Sequence, residues 1–199
     1  MRRYPVKSLR GEILDSAEVT ESGIAGDRVN ALFVREGHAR VGKTYRGKEH
    51  EGLQIVSDPA AARDLARRRG IELEERHGER FFDEAPISLL IDRWLDDLSA
   101  WLGYRAQWER FRPNLFVRAA LDVPPESAFV GAELRLGDVR LRVRMPNERC
   151  VVVNYHPKGD PSDPRVLRLL AERRNAIMGI YCDVVEPGIV RTGDALVSL

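Results

Sequence analysis

The sequence predicts a mainly β fold, a β-barrel or sandwich with about three covering helices. Three features point to it. Short strand-like segments follow one another along most of the chain, Gly and Pro turn signals separate them, and only three segments have the start and stop signals of helices. Many short, evenly spaced strands with few helices are typical of barrels and sandwiches.

The clearest strand signal is the segment "AELRLGDVRLRVRMP", residues 132–146. One set of alternating positions is apolar: Leu134, Leu136, Val139, Leu141, Val143 and Met145. The other set is basic: Arg135, Arg140, Arg142 and Arg144. With Gly137-Asp138 as the turn, the pattern predicts an amphipathic hairpin whose arginine face is solvated.

Further strands are expected in three other regions. Residues 12–23 and 28–42 show loose alternation broken by glycine, and the second region predicts a hairpin tip near Glu36-Gly37. Residues 179–199 predict two or three strands joined at Pro187-Gly188 and Gly193-Asp194. Together with the hairpin at 132–146, these segments account for most of the expected sheet.

The three helical segments are residues 57–70, 92–103 and 162–175. The first has Ser57 or Asp58 as N-cap candidate, Pro59 near its first turn and a terminal glycine. The third repeats this Asp-Pro start. The second is expected to place one apolar stripe against the sheet, formed by Ile91, Leu95, Leu98 and Leu102.

Composition excludes several classes of protein. The 199 residues are 43% hydrophobic and 32% charged with a formal net charge of +1, which suits an ordinary water-soluble domain. Balanced acidic residues argue against nucleic-acid partners, and no apolar run is long enough for a membrane span. The start "MRRYPVKSLRGE" lacks the apolar region of a signal peptide, so a cytoplasmic location is expected.

The candidate chemistry surrounds Cys150, which follows "MPNER" at the mouth of a polar loop. Basic and polar residues stand in similar turn-like contexts elsewhere in the chain: Lys7, Ser8, Arg28, Arg112, Asn114 and Arg149. If they converge, they form a cationic pocket that favours the thiolate, the form of cysteine that binds soft metals or attacks sulfur.

Taken singly, each of these residues has a structural alternative. Lys7 could protect a strand edge, Arg28 could be a salt-bridged arginine in a plain turn, and Cys150 could fill a small gap. Cys182, which alternates with Ile180 and Val184, is assigned to the core. The four scattered histidines give no zinc spacing, and no GxGxxG, P-loop or GxSxG motif is present.

In their order along the chain, the segments "YPVKSLRG", "GIAGDR", "APISLL", "RFRPN", "LRLGDVRLRV" and "ERCVVV" resemble the MOSC family, named after the C-terminal part of molybdenum-cofactor sulfurases. The resemblance runs from about residue 4 to the C-terminus. It is strongest to the branch of the mitochondrial amidoxime-reducing component and its bacterial relatives. It implies one MOSC-type unit over residues 1–199, a β-barrel of the PK-barrel-like kind, with a shortened N-terminal β lobe at 1–80 and the core barrel at 81–199.

The resemblance also implies a cofactor, a pterin-bound molybdenum with Cys150 as the protein ligand to the metal. Lys7, Ser8, Arg28, Arg112 and Asn114 match positions that hold the pterin's phosphate and ring edges, with Arg149 beside them. The chain lacks the pyridoxal-phosphate domain of some relatives, so no such site is expected.

Three functions stay open at this point. The first is an oxidoreductase that reduces N-hydroxylated or N-oxide small molecules with electrons from a separate donor protein. The second is a sulfur carrier that holds a persulfide on Cys150, received from a separate sulfur donor. The third is a non-enzymatic module that binds or delivers the molybdenum cofactor. The sequence does not determine an oligomeric state.

Overall fold

The computed structural model describes residues 1–78 and 80–199, which form thirteen strands and three α-helices. The strands are β1 Arg2–Arg3, β2 Glu12–Ile13, β3 Ser16–Thr20, β4 Gly23–Ile24, β5 Asn30–Glu36, β6 Glu72–His77, β7 Ile87–Ile91, β8 Leu115–Val117, β9 Glu133–Leu136, β10 Val139–Glu148, β11 Ile177–Glu186, β12 Gly188–Arg191 and β13 Leu196–Ser198. The helices are α1 Pro59–Arg67, α2 Trp94–Leu102 and α3 Arg165–Arg174.

A curled sheet of six strands, shaped like half a barrel, is the centre of the fold, in the order β13-β9-β10-β11-β7-β8. Its neighbours pair antiparallel except β7 and β8, which are parallel. The register of β10 against β11 shifts at three places, and such bulges bend a strand and increase its twist. Smaller sheets join β12-β3-β4, β5-β6 and β1-β2. The predicted mainly β fold with three helices is confirmed.

The hairpin predicted at residues 132–146 is formed by β9 and β10. Its apolar positions from Leu134 to Val143 are buried, and Gly137 makes the turn with a φ of 58°. Met145 was expected on the same face, but it is 37% exposed. The register shift between Val143 and Met145 ends the alternation there and turns Met145 outward.

The arginine face of this hairpin is more ordered than a merely solvated face. Arg140 and Arg142 both donate to Glu133, at 2.8 and 2.6 Å, and Arg144 pairs with Asp183 on β11. These cross-strand ion pairs are partly exposed, so each adds little to the stability of the sheet. Their main effect is to favour the observed register of the strands.

The helices begin and end largely where the sequence predicts. The carboxylate of Asp58 caps α1 by accepting from the backbone N–H of Ala60 at 2.9 Å. Ile91, however, belongs to β7 and not to the stripe of α2. All five residues of β7 are buried, and the strand is mostly apolar for that reason. In the described residues, no helix is long and apolar enough to cross a membrane.

The hairpin expected near Glu36-Gly37 is only partly present. The chain does turn there, and Val34 and Tyr45 make backbone hydrogen bonds across it, to Lys43 and Leu32. The regular partner of β5 is β6, which follows α1 in the chain. In the C-terminal region the strands β11, β12 and β13 are joined at the predicted turns.

Two apolar clusters form the interior. The larger one lies between the six-stranded sheet and helices α2 and α3, and the smaller one lies between β5, β6 and α1. Ala17, Val19 and Ile24, from the first 80 residues, pack in the larger cluster. The division at residue 80 into a lobe and a barrel stays a prediction.

Candidate functional site

A cavity of about 440 Å³ lies where the two clusters meet the end of β10. All seven residues singled out in the sequence line it: Lys7, Ser8, Arg28, Arg112, Asn114, Arg149 and Cys150. Seven lining residues are Lys or Arg and three are Asp or Glu, so the cavity carries an excess of positive charge. The fold thus collects residues from distant segments around one cysteine; the binding of a cofactor by them stays a prediction.

Lys7 and Ser8 lie on a tight turn that follows a bridge between Val6 and Asn30. The N–H of Lys7 donates to the carbonyl of Asn30 at 2.8 Å, and Ser8 has a φ of 72°, in the left-handed region. The Nζ of Lys7 pairs with Oδ1 of Asp83 at 2.6 Å. Lys7 therefore lines the cavity and forms an ion pair with Asp83, and it is not an unpaired charge on a strand edge.

Tyr4 is a buried platform for two of the arginines. The guanidinium carbons of Arg28 and Arg112 lie 4.9 and 4.3 Å from the centre of its ring, within the range of cation–π contacts. Burial raises the pKa of Tyr4, so the phenol stays neutral. Its hydroxyl donates to the carbonyl of Pro113 at 3.3 Å.

Arg28 has a built-in counter-ion. Its Nη1 lies 2.5 Å from Oδ2 of Asp27, and the other oxygen of this buried carboxylate accepts from the N–H of Tyr4 at 2.7 Å. The structural alternative of an arginine paired within its turn is thus present. The same side chain nevertheless lines the cavity.

Arg112 and Arg149 differ from Arg28, because neither has a carboxylate partner among the described residues. Arg112 donates to the carbonyl of Leu9 at 2.7 Å. Arg149 donates to the carbonyls of Met178 and Phe111 at 2.6 and 2.9 Å. Burial lowers the pKa of each to about 10, so both remain charged at neutral pH. Two largely desolvated cations without counter-ions are what an anion site requires.

A glycine on β11 makes room for Arg149. Gly179 has a φ of 88°, and a Cβ at this position would lie 2.8 Å from the carbonyl oxygen of Leu89 and 3.1 Å from Nη2 of Arg149. Position 179 must therefore be glycine if β11 is to lie this close to Leu89 on β7 and to the guanidinium of Arg149.

The change Gly179→Ala is expected to lower the free energy of unfolding by about 2 kcal/mol and to displace Arg149. Both the strained φ and the clash with Leu89 act against the folded state. Urea denaturation measures the loss. Gly103→Ala is the control, since its φ of 79° is also positive but no atom from elsewhere in the described residues lies within 4 Å of the added Cβ. Equal losses in the two variants would show that strain alone acts at position 179.

Asn114 is fully buried, and its amide oxygen is committed within the protein. It accepts from the N–H and hydroxyl of Ser88 at 3.1 and 3.0 Å and from Nη1 of Arg28 at 3.3 Å. Its Nδ2 lies 3.4 Å from the carbonyl oxygen of Arg2. This network fixes the guanidinium of Arg28 at the cavity wall.

Cys150 is exposed and lies between the end of β10 and a short 3-10 helix, Val151–Asn154. Arg110 stabilises the 3-10 helix that follows Cys150, because its Nη1 donates to the carbonyls of Asn154 and Val153 at 2.8 and 3.4 Å. Cys182 is fully buried, and burial raises its pKa to about 12. The assignment of Cys182 to the core is confirmed.

Several lining residues have no sequence signal of their own. Asp83 and Tyr181 reach the cavity, and so does the segment 46–48, where a Cβ on Gly47 would lie 3.1 Å from Val152. Arg46 and Lys48 could have been suspected as two cations in a turn-rich stretch, but Asp83 lies in a loop without periodicity. Among the residues the structure describes, no three His, Cys, Asp or Glu side chains gather as a metal cluster.

The family model of the MOSC domain matches residues 74–197. Mitochondrial amidoxime-reducing component 1 of Homo sapiens is 27% identical over 132 residues, which cover 60% of this chain and 38% of that protein. Mitochondrial amidoxime reducing component 2 of Macaca fascicularis is 25% identical over 140 residues, covering 61% and 39%. The match therefore spans less than half the length of these relatives.

Among solved structures, the YuaD protein from Bacillus subtilis is similar with a TM-score of 0.59 and 19% identity, covering 98% of this chain and 91% of that one. At this identity the likeness concerns the fold, and it agrees with the curled β architecture. The family model covers well over half of the chain and confirms the resemblance noted in the sequence. The chain belongs to the MOSC domain family.

Proposed function

We propose that this chain binds a molybdenum–pterin cofactor in the cavity, with the thiolate of Cys150 as the protein ligand to the metal. We further propose that it reduces N-hydroxylated or N-oxide small molecules with electrons from a separate donor protein. The single observation that carries the proposal is the pair of largely buried cations, Arg112 and Arg149, in the cavity that Cys150 lines.

The residues present fit such a group. A largely buried guanidinium that donates to carbonyls retains its full positive charge, and an anionic ligand would offset the cost of its desolvation. A pterin cofactor carries a phosphate, and Arg binds phosphate in forked geometry while Lys acts as a compact charge. A soft thiolate suits molybdenum better than the oxygen donors of the same cavity do.

The chain's own residues divide into roles. Lys7, Ser8 and Arg112 would hold the phosphate and ring edges, and Arg28 would do so in the orientation that Asn114 gives it. Arg149, next to Cys150 in the chain, donates to the carbonyls of Phe111 and of Met178 on β11 and so ties the end of β10 to these two segments. When bound, the cofactor supplies two-electron redox chemistry. The exposed position of Cys150 leaves room for a small substrate beside the sulfur.

The choice of substrate and partner rests on the relatives. The curated proteins that match are named amidoxime-reducing components, and amidoximes carry an N-hydroxyl group. No dinucleotide-binding motif is present in the sequence, so we place the electron source on a separate protein. The sulfur-carrier and delivery alternatives would use the same cysteine or the same cavity.

Elemental analysis of the purified full chain tests the proposal. We expect about one molybdenum and one pterin per chain in the wild type and loss of molybdenum in Cys150→Ser, because a hydroxyl is a poorer ligand for the metal than a thiolate. Cys182→Ala is the control and retains both, since Cys182 lies in the core.

Three outcomes separate the alternatives. Sulfane sulfur on Cys150 without molybdenum would favour the sulfur carrier. A loaded protein that reduces no hydroxylamine with an artificial donor would favour the delivery module. Equal molybdenum in wild type and Cys150→Ser would contradict the assignment of Cys150 as ligand.

A further inference from the structure

We propose that the carboxylate of Asp83 takes the place of the ligand's anionic group in the free protein. It forms an ion pair with the ammonium group of Lys7 until an incoming phosphate displaces it. The inference rests on the proposed function, since it assigns the cavity to an anion. It adds a residue that controls entry to the site: ligand phosphate and Asp83 compete for one ammonium group.

The first support is the unequal exposure of the two partners. The Nζ of Lys7 and Oδ1 of Asp83 are 2.6 Å apart, yet the side chain of Lys7 is 16% exposed and that of Asp83 is 65% exposed. Lys7 is fixed in the cavity wall by its turn, whereas Asp83 meets it from the rim. The aspartate can therefore rotate into water and leave the ammonium group facing the cavity.

The second support is the set of charges that act on Asp83. Desolvation acts to raise its pKa, but the charge and hydrogen bond of Lys7, followed by the charges of Arg28 and Arg112, outweigh it and lower the pKa. The carboxylate thus lies in the combined field of three cations that line the cavity. A phosphate at this place would meet the same three groups.

The third support is the contrast with Asp27. That carboxylate is also paired with a cavity cation, but it is buried and accepts from both Tyr4 N–H and Arg28, so it cannot leave. Asp83 has only Lys7 as side-chain partner in the part of the chain that the structure describes. Asp27 is therefore a fixed part of the cavity wall, whereas Asp83 can be displaced from its partner.

The test uses the full chain from a host that cannot make the pterin cofactor, with inorganic phosphate as the probe in titration calorimetry. We expect Asp83→Asn to raise the affinity for phosphate about three- to fivefold, as the loss of a competing, partly exposed ion pair implies. Glu84→Gln is the matched control: it removes the same charge from the neighbouring lining residue, which has no ion pair among the described residues. It should change the affinity less than about twofold.

Lys7→Met completes the experiment. In this background Asp83→Asn should have no more effect than Glu84→Gln, because the group for which anion and carboxylate compete is gone. Equal effects of Asp83→Asn and Glu84→Gln with Lys7 present would overturn the inference and leave the proposed anion site standing. A wild type and Asp83→Asn that both fail to bind phosphate, with native circular dichroism spectra, would overturn the two together.

Discussion

Replacing Cys150 with serine is expected to lower the rate of reduction of an N-hydroxylated substrate by on the order of a hundredfold or more. Loss of groups that only support a metal ligand already costs about ten- to a hundredfold, and loss of the ligand itself should cost at least as much. Cys150 is exposed and its side chain makes no cap hydrogen bond to the 3-10 helix that follows it, so we expect the variant to unfold at the same urea concentration as the wild type.

The rate is measured by anaerobic oxidation of a reduced dye on cofactor-loaded protein. Cys182→Ala is again the matched control, because it removes the other thiol of the chain from a fully buried position. It should lower stability through a small cavity and leave the rate per folded molecule unchanged. A Cys150→Ser variant that retains its full rate would contradict the proposed role of Cys150 as the protein ligand to the metal.

The change Glu126→Ala is expected to lower the free energy of unfolding by about 3 to 5 kcal/mol. The Glu126 side chain is only 4% exposed, and its two oxygens accept from Nη2 of Arg174 at 2.6 Å and from the N–H of Gly179 at 3.0 Å. Removing the carboxylate leaves a buried N–H without its acceptor and takes the nearest counter-ion from Arg174, which retains only the exposed Asp97 at 3.7 Å and the carbonyl of Trp94 among the described residues. The effect reaches the site, because Gly179 packs against Arg149.

Urea denaturation of two further variants shows how much of this loss in free energy of unfolding comes from the charge of Glu126. Glu126→Gln retains an oxygen for Gly179 but loses the charge that Arg174 requires, so an intermediate loss is expected. Glu172→Gln, on the exposed face of α3 with its oxygen 4.0 Å from Arg168, should leave the unfolding midpoint unchanged. If Glu126→Ala and Glu172→Gln unfolded at the same urea concentration, the buried bridge would not stabilise the fold.

Local patterns predicted local structure well in this chain. Alternation and a Gly-Asp turn were sufficient for the hairpin of β9 and β10, and an Asp-Pro start with an N-cap was sufficient for α1. The errors have two physical origins: an apolar residue indicates burial but not the element that it belongs to, and alternation does not show where a bulge shifts the register. Ile91 is apolar because β7 is buried along its length, and Met145 lies outside because a bulge shifts the register.

The gathering of the candidate residues around one cavity was expected from the sequence, but the charge pairs among them were not; their roles in binding stay a prediction. Short motifs with Gly, Pro and arginine indicated Lys7, Arg28, Arg112 and Cys150, and the structure brings them to one cavity. The sequence could not show that Arg28 pairs with a carboxylate while Arg112 has no such partner among the described residues, since this depends on which side chains meet after folding. Asp83 had no signal at all.

The amino-acid sequence alone determined the β-rich architecture, the three helices, the membership of the family and the identity of the exposed thiol's neighbours in the chain. Each of these follows from residues that are near one another or from motifs in a fixed order. Only the three-dimensional arrangement decided which cavity cations have a carboxylate partner among the described residues and which of these carboxylates is exposed. Charge pairing and desolvation depend on distances between segments that lie up to a hundred residues apart, and such distances exist only in the folded chain.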